Sequence, residues 1–130
     1  MKILAGFNGS AVSKAALDLA LNHAKAFNAQ LIIAISAVGG SRQTIDDVRA
    51  IDEIANVAKG MVAQKNVDAQ INELIRGMSP GEDLVNYARE NDIDLIYVGI
   101  EKRSRTQKIL LGSNAQYIIL KAHCPVMTVK

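Results

Sequence analysis

A glycine after an apolar run and a glycine-serine pair further along the chain have the residue types and spacing of a phosphate site. Gly99 follows the apolar run 94–98, and Gly112 and Ser113 open a stretch with helical spacing. A residue without Cβ lets a ligand approach the backbone closely, and the first turn of a helix presents unpaired N–H groups to an anion. The segment from Gly99 to Ser113 is therefore interpreted as a phosphate-handling loop.

Basic side chains are concentrated in the same segment. Against the single acid Glu101, four cations lie within seven residues: Lys102, Arg103, Arg105 and Lys108. Their combined field would favour a polyanionic ligand, but basic residues in an exposed loop are at least as often simply solvated. Both interpretations stay open for each of the four.

A second connection with glycines lies near the start of the chain. Gly6, Phe7 and Asn8 follow an apolar run, and Ser10 precedes a helical pattern. The backbone amides of this connection could line the same crevice as Gly99, although the spacing matches neither common glycine-rich phosphate motif. Taken alone, the connection is better explained as an ordinary turn with Ser10 as the helix N-cap.

Composition limits the class of protein. The chain has 130 residues, of which 49% are hydrophobic and 22% charged, as expected for one globular domain. A net charge of +2 and 4% aromatic residues argue against a nucleic-acid partner. No apolar run approaches ~20 residues, the first residues lack the layout of a secretory signal, and the single cysteine, Cys124, cannot form an internal disulfide. We expect a cytoplasmic protein without a membrane partner.

Short apolar runs alternate with helical patterns, which predicts five strands and four helices. The predicted strands are Lys2–Phe7, Leu31–Ser36, Ala69–Ile75, Asp94–Val98 and Pro125–Val129. This alternation predicts a single-domain α/β fold: an open parallel five-stranded sheet with helices on both faces. The third strand is polar and the fifth begins with proline, so both are expected at sheet edges. Ligands of such sheets bind at the carboxyl ends of the strands where the connections diverge, which favours the first and fourth strands.

Other chemistry-bearing residues favour structural roles. Ser79 to Glu82 has the pattern of a capping box, and Asp46 and Asp47 are expected to stabilise the start of the second helix. His23 is predicted on a helix surface and Cys124 as a small buried side chain. Because no spacing of histidine or cysteine indicates a metal site or a nucleophile-base pair, enzyme activity is uncertain.

Together these motifs resemble the universal stress protein family over essentially the whole chain, 1–130, taken as one domain. The segments that carry the resemblance are 3–10, 33–35, 92–99, 111–113 and 123–129. Nucleotide-binding members carry Gly-x2-Gly-x9-Gly-(Ser/Thr), which Gly99, Gly112 and Ser113 match, whereas Lys102 stands at the second glycine position. The resemblance implies a Rossmann-like sheet with strand order 3-2-1-4-5.

The resemblance also implies an adenine nucleotide, ATP, as the ligand, with or without Mg²⁺. The backbone of Ile35 would contact adenine, Val98 would flank the ribose and base, and the helix start at Gly112 would hold the phosphates. Asn8 stands where the family has an acidic residue, so a charge that could help hold a cation is missing. The residues expected to bind the nucleotide are Gly6, Phe7, Asn8, Ile35, Val98, Gly99, Lys102, Arg103, Gly112, Ser113 and Asn114.

Three functions of different class follow from this resemblance. The leading one is an ATP-binding regulatory protein that acts in the stress response through nucleotide-dependent conformation or partner binding. The alternatives are a dimeric interaction module that does not bind ATP, with Asn8 and Lys102 as signs of loss, and a slow ATP hydrolase. Since family members commonly dimerise through the last strand, a homodimer through Val126–Val129 is expected.

Overall fold

The computed structural model describes residues 1–37, 44–105 and 108–130, with the backbone alone for 102–105 and 108–110. Seven strands and four helices lie in these ranges. The strands are β1 (Lys2–Gly6), β2 (Gln30–Ala37), β3 (Ala69–Ile75), β4 (Leu95–Gly99), β5 (Lys102–Arg105), β6 (Lys108–Leu111) and β7 (Val126–Val129). The helices are α1 (Ala11–Phe27), α2 (Ile45–Lys65), α3 (Pro80–Glu90) and α4 (Ser113–Lys121).

Five of the strands form a parallel sheet in the order β3-β2-β1-β4-β7. The centre of the sheet is β1, in which Ile3 is paired with Leu31 of β2 on one side and with Leu95 of β4 on the other. The predicted α/β fold and the order 3-2-1-4-5 are thus confirmed, with β7 as the fifth strand of the sheet. The two strands predicted at the edges, β3 and β7, lie there.

Helices cover both faces of the sheet, with α1 and α2 on one face and α3 and α4 on the other. Each of these two pairs of helices packs against the sheet around a separate hydrophobic core. On one face, Leu17 and Leu21 of α1 and Ala58 of α2 pack against alternate strand residues. On the other face, Leu84 of α3 and Ile118 of α4 pack against the remaining strand residues. Because successive strand side chains point to opposite faces, a strand covered on both sides is apolar at successive positions, as β1 is from Ile3 to Ala5.

The segment predicted as a loop contains a hairpin. Strands β5 and β6 pair in antiparallel fashion, with Lys102 opposite Leu111 and Arg105 opposite Lys108. The sequence did not predict this hairpin because neither strand alternates polar and apolar residues, which is the signal of a half-buried strand. The hairpin lies between β4 and α4, outside the main sheet.

Helix starts only partly follow the sequence prediction. Ser79 is the N-cap of α3 and Pro80 its first residue, but the Ser79 side chain makes no capping hydrogen bond. The capping box lies instead at α2, where the Thr44 hydroxyl accepts from the Asp47 N–H and the Asp47 carboxylate accepts from the Thr44 N–H, at 3.2 and 2.9 Å. These hydrogen bonds from Thr44 lower the pKa of Asp47, so its capping role is confirmed.

Two side chains lie in surroundings that the sequence did not predict. His23 is half-buried, and its Nδ1 is hydrogen-bonded to the hydroxyl of Tyr97, which is fully buried. Cys124 is also only half-buried, and burial together with the charge of Asp94 raises the pKa of its thiol. None of the helices in the described ranges is long and apolar enough to cross a bilayer.

Candidate functional site

A cleft of about 150 Å³ opens at the carboxyl ends of β1, β2 and β4. The connection after β1 leads to α1 on one face of the sheet, whereas the helices α3 and α4 lie on the other. This divergence defines the position where open α/β sheets bind ligands. The described residues that line the cleft are Gly6, Phe7, Asn8, Ser13, Ala34, Ser36, Pro80, Leu84, Val98, Gly99, Asn114, Ala115 and Ile118.

Six residues predicted to bind the nucleotide lie together in this lining: Gly6, Phe7, Asn8, Val98, Gly99 and Asn114. Gly112 is the N-cap of α4 and Ser113 its first residue, directly before Asn114. The side chain of Ile35 is buried in the core beneath α1 and α2, which leaves its backbone for the contact that the resemblance implies. The side chains of Lys102 and Arg103 lie outside the described part of the structure.

The sequence prediction missed seven lining residues: Ser13, Ala34, Ser36, Pro80, Leu84, Ala115 and Ile118. Strand alternation could have identified two of them, since Ala34 and Ser36 flank Ile35 in β2 and must face the opposite side. The residues of α3 reach the cleft because that helix packs on the same face of the sheet as Ala34, and no local sequence pattern predicts this packing.

The glycines around the cleft have different roles. A Cβ at Gly99 would lie 2.4 Å from both the carbonyl carbon and the oxygen of Val12, so this glycine is required for packing between β4 and α1. A Cβ at Gly6 would lie 2.9 Å from Cδ1 of Leu84. At Gly112, by contrast, no described atom lies within 4 Å of such a Cβ. Among the described atoms, the space beside Gly112 at the start of α4 is thus free for a ligand.

The turn between β1 and α1 is held by its own polar groups. Asn8 Oδ1 accepts from the Ser10 N–H at 3.0 Å, and the Asn8 N–H donates to the Ser13 hydroxyl at 3.4 Å. Ser10 caps α1 as predicted, with its hydroxyl 3.2 Å from the Ser13 nitrogen. These contacts leave the exposed carboxamide NH₂ of Asn8 as the donor that can face a ligand.

These residues do not fit Mg²⁺. The cation prefers carboxylate oxygens, yet the Asn8 oxygen is neutral and already accepts a hydrogen bond. The described lining of the cleft contains no carboxylate. Nor does any group of three or more His, Cys, Asp or Glu residues suited to a metal occur among the described residues.

Three helices meet the cleft at their amino-terminal turns, through Ser13 of α1, Pro80 of α3 and Asn114 of α4. Oδ1 of Asn114 accepts from the Gly81 N–H at 3.0 Å and so joins α3 to α4. Helix starts carry the positive end of the helix dipole, and unpaired N–H groups point outward from them. The cleft is therefore electrostatically suited to an anion, even without a charged side chain in its described lining.

Behind the β2 side of the cleft lies an ionic network in which one carboxylate is buried. The Ser36 hydroxyl is 2.8 Å from Oδ2 of Asp83, whose side chain is fully buried. Nε of Arg76 lies 2.6 Å from Oδ1 of the same carboxylate, and Nη1 of Arg76 lies 2.8 Å from Glu90. Although burial opposes the charge, the hydrogen bonds and attraction from Glu90 and Asp83 raise the pKa of Arg76.

A parallel five-stranded sheet with a cleft at its switch point defines a doubly wound, Rossmann-like α/β protein. The family described as the universal stress protein family matches residues 1–130. Universal stress protein MJ0531 of Methanocaldococcus jannaschii is 33% identical, over 99% of this chain and 81% of its own length. The chain belongs to the universal stress protein family.

Solved structures agree with this assignment. A universal stress protein from Archaeoglobus fulgidus superposes with a TM-score of 0.90 at 30% identity, covering 100% of this chain and 98% of that one. The structure of the universal stress protein from Archaeoglobus fulgidus in complex with dAMP gives a TM-score of 0.84 at 27% identity, with the same coverage.

Proposed function

We propose that this protein is an ATP-binding regulatory protein that acts in the stress response through nucleotide-dependent conformation or partner binding. The observation that carries the proposal is the cleft at the switch point, in which six positions predicted from the sequence and the family resemblance lie together, contributed by β1, the turn after it, β4 and α4. The dAMP complex of the Archaeoglobus fulgidus relative supports an adenine nucleotide as the ligand class.

The two ends of the cleft suit different parts of a nucleotide. Ala34, Leu84 and Val98 provide apolar surface for a base and ribose. The start of α4 at Gly112, where no described atom obstructs the approach, provides backbone N–H groups for phosphate. Lys102 and Arg103 belong to the hairpin that directly precedes α4, so their positive charge lies close in sequence to the start of that helix.

The nucleotide is proposed to bind as the free anion. Since the described lining residues do not fit Mg²⁺, the phosphate charge would be balanced by helix starts and by the basic hairpin instead. A divalent cation should therefore not be needed for ATP binding and should not strengthen it.

A direct test is calorimetric titration of the purified protein with ATP, ADP and AMP, together with mass spectrometry of small molecules released on denaturation. Binding of an adenine nucleotide with one site per chain is the expected result. Absence of both a released adenine nucleotide and a binding heat would overturn the proposal and favour the interaction module that does not bind ATP.

A homodimer through β7 and a cytoplasmic location are also part of the proposal. Strand β7 pairs only with β4 in the described sheet, so its other edge is available to a second copy. Three large apolar side chains of the segment that ends in β7 are exposed, namely Ile119, Leu120 and Met127. The lone thiol of Cys124, which has no partner for an internal disulfide, is compatible with a reducing compartment.

A further inference from the structure

The hydroxyl of Ser36 is held in one orientation by a carboxylate behind it. Ser36 lies near the carboxyl end of β2 and lines the cleft. Its hydroxyl oxygen is 2.8 Å from Oδ2 of Asp83, and the Asp83 side chain is fully buried in the first turn of α3. A polar side chain of the cleft is thus coupled to a charge that has no contact with solvent.

Asp83 is fixed as an ionised acceptor by Arg76. The guanidinium contacts Oδ1 through Nε at 2.6 Å and the main-chain oxygen of Asp83 through Nη2 at 3.1 Å. The same side chain binds Glu90 at 2.8 Å and lies over the ring of Tyr87, 5.8 Å from its centroid. With these contacts the guanidinium remains charged and in place, and a carboxylate paired with it accepts hydrogen bonds but cannot donate one.

The consequence concerns the proton of Ser36. Because the Asp83 carboxylate cannot donate, the Ser36 hydroxyl must donate to it, and its proton points away from the cleft. Ser36 therefore presents only oxygen lone pairs to a ligand. A free serine would rotate to suit either a donor or an acceptor, whereas this one accepts only.

We propose that Ser36, positioned by Asp83 and Arg76, selects a purine that carries an exocyclic amino group over one that carries a carbonyl at the same position. This inference rests on the proposed nucleotide-binding function and names the base chemistry that the cleft accepts. A 6-amino group donates a hydrogen bond to the Ser36 oxygen. A 6-carbonyl would instead place its oxygen against the Ser36 oxygen, and because both are hydrogen-bond acceptors, both would stay unpaired. Ala34 and Leu84, which line the same cleft as Ser36, have no polar side-chain group that such a carbonyl could bind.

AMP and IMP provide the test because their 6-substituents are an amino group and a carbonyl on otherwise similar nucleotides. Calorimetry should show that the wild-type protein binds AMP about tenfold or more tightly than IMP, since an unpaired buried polar group is costly. Ser36→Ala should reduce the preference to about twofold, and Ser36→Thr, which keeps the hydroxyl, should preserve it.

Ser79→Ala is the matched control. Ser79 is the N-cap of α3, the helix that carries Asp83; it is exposed and makes no capping hydrogen bond. The Ser79→Ala variant should therefore show the same preference for AMP as the wild type. Thermal unfolding of each variant shows whether the fold is retained. Equal binding of AMP and IMP by the wild type, or an undiminished preference in folded Ser36→Ala, would overturn the inference while leaving nucleotide binding intact. Absence of binding by either nucleotide would overturn the proposed function, and this inference with it.

Discussion

Gly99 at the end of β4 packs directly against the main-chain carbonyl of Val12 in the first turn of α1. A Cβ at Gly99 would lie 2.4 Å from that carbonyl carbon and 2.7 Å from the nitrogen of Ser13. Both contacts involve backbone, which cannot move aside as a flexible side chain can. The strand and the helix that border the cleft are therefore held at a separation that only glycine allows.

Gly99→Ala should destabilise the protein. Overpacking against backbone forces the strand and helix apart, and we expect the free energy of unfolding to fall by about 1–3 kcal/mol in urea denaturation. The control is Gly60→Ala in α2, where no described atom lies within 4 Å of the new Cβ. That change should raise the free energy of unfolding by about 0.5–1 kcal/mol, because alanine is the better helix former. Equal stability of Gly99→Ala and wild type would contradict the packing role.

Gly112→Ala should affect ligand binding more than folding. The φ of −61° at Gly112 is accessible to any residue, and the site has open space, so the loss of unfolding free energy should stay below about 1 kcal/mol. The methyl group would occupy the space through which phosphate approaches α4, and ATP affinity should drop about tenfold, as for the loss of one charge-assisted hydrogen bond. Calorimetry of this variant beside Gly60→Ala measures both effects. Unchanged affinity would place the phosphates elsewhere.

ATP should bind in EDTA, and its affinity should be no higher in Mg²⁺ than in EDTA. The side-chain oxygen of Asn8 is neutral and already accepts a hydrogen bond from the Ser10 N–H at 3.0 Å, so it is a weak ligand for a cation. Asn8→Asp keeps this acceptor and adds a charge, and we expect binding by this variant to strengthen when Mg²⁺ is added. Calorimetric titrations of both proteins in each buffer make the comparison. Loss of wild-type binding on chelation would show that the metal is needed after all.

Met127→Lys should convert the proposed dimer to a monomer. Met127 lies in β7, is 37% exposed and would be buried by strand pairing, where a charge is costly. Ile75, 43% exposed on the opposite edge strand β3, provides the matched control as Ile75→Lys. Sedimentation analysis of both variants reports the assembly state. If Ile75→Lys gave the monomer and Met127→Lys did not, the interface would lie on β3.

Tyr97 should titrate late at high pH. Burial raises its pKa above the ordinary value of 10.0, so the folded protein favours the neutral phenol. The stability that this phenol contributes is complete below pH 10 and is lost as pH rises through the folded pKa. Ultraviolet titration of phenolate should show a delayed fraction among the three tyrosines. In Tyr97→Phe this fraction should be absent, and its persistence there would assign the delay to another tyrosine.

Much of the fold could be predicted from the chain because each local signal agreed with the global arrangement. The apolar runs that became β1, β2 and β4 are continuous because both faces of those strands are covered. Pro125 and the polar residues of the third strand indicated the sheet edges, where a missing ladder donor or a polar face is tolerated. The hairpin β5–β6 lacked such a signal, since its strands pair with each other outside the main sheet.

The candidate site, like the fold, could be predicted from the sequence only in part. Gly6, Asn8, Gly99 and Gly112 were recognisable because each ends or follows a strand or precedes a helix, and such positions are marked locally by residue type. Ser36 and Asp83 carried no such mark, since 47 positions separate them along the chain.

The sequence by itself determined the parallel sheet, its two edge strands and the end of the sheet where a ligand is expected, because periodicity and chain alternation encode which faces are buried; the order of the strands followed from the resemblance to the family. Only the tertiary structure decided that Gly99 is needed for packing, that Asn8 has its oxygen already engaged and that Ser36 faces a buried carboxylate. Those properties depend on distances between groups far apart in the chain, and such distances exist only once the helices lie on the sheet.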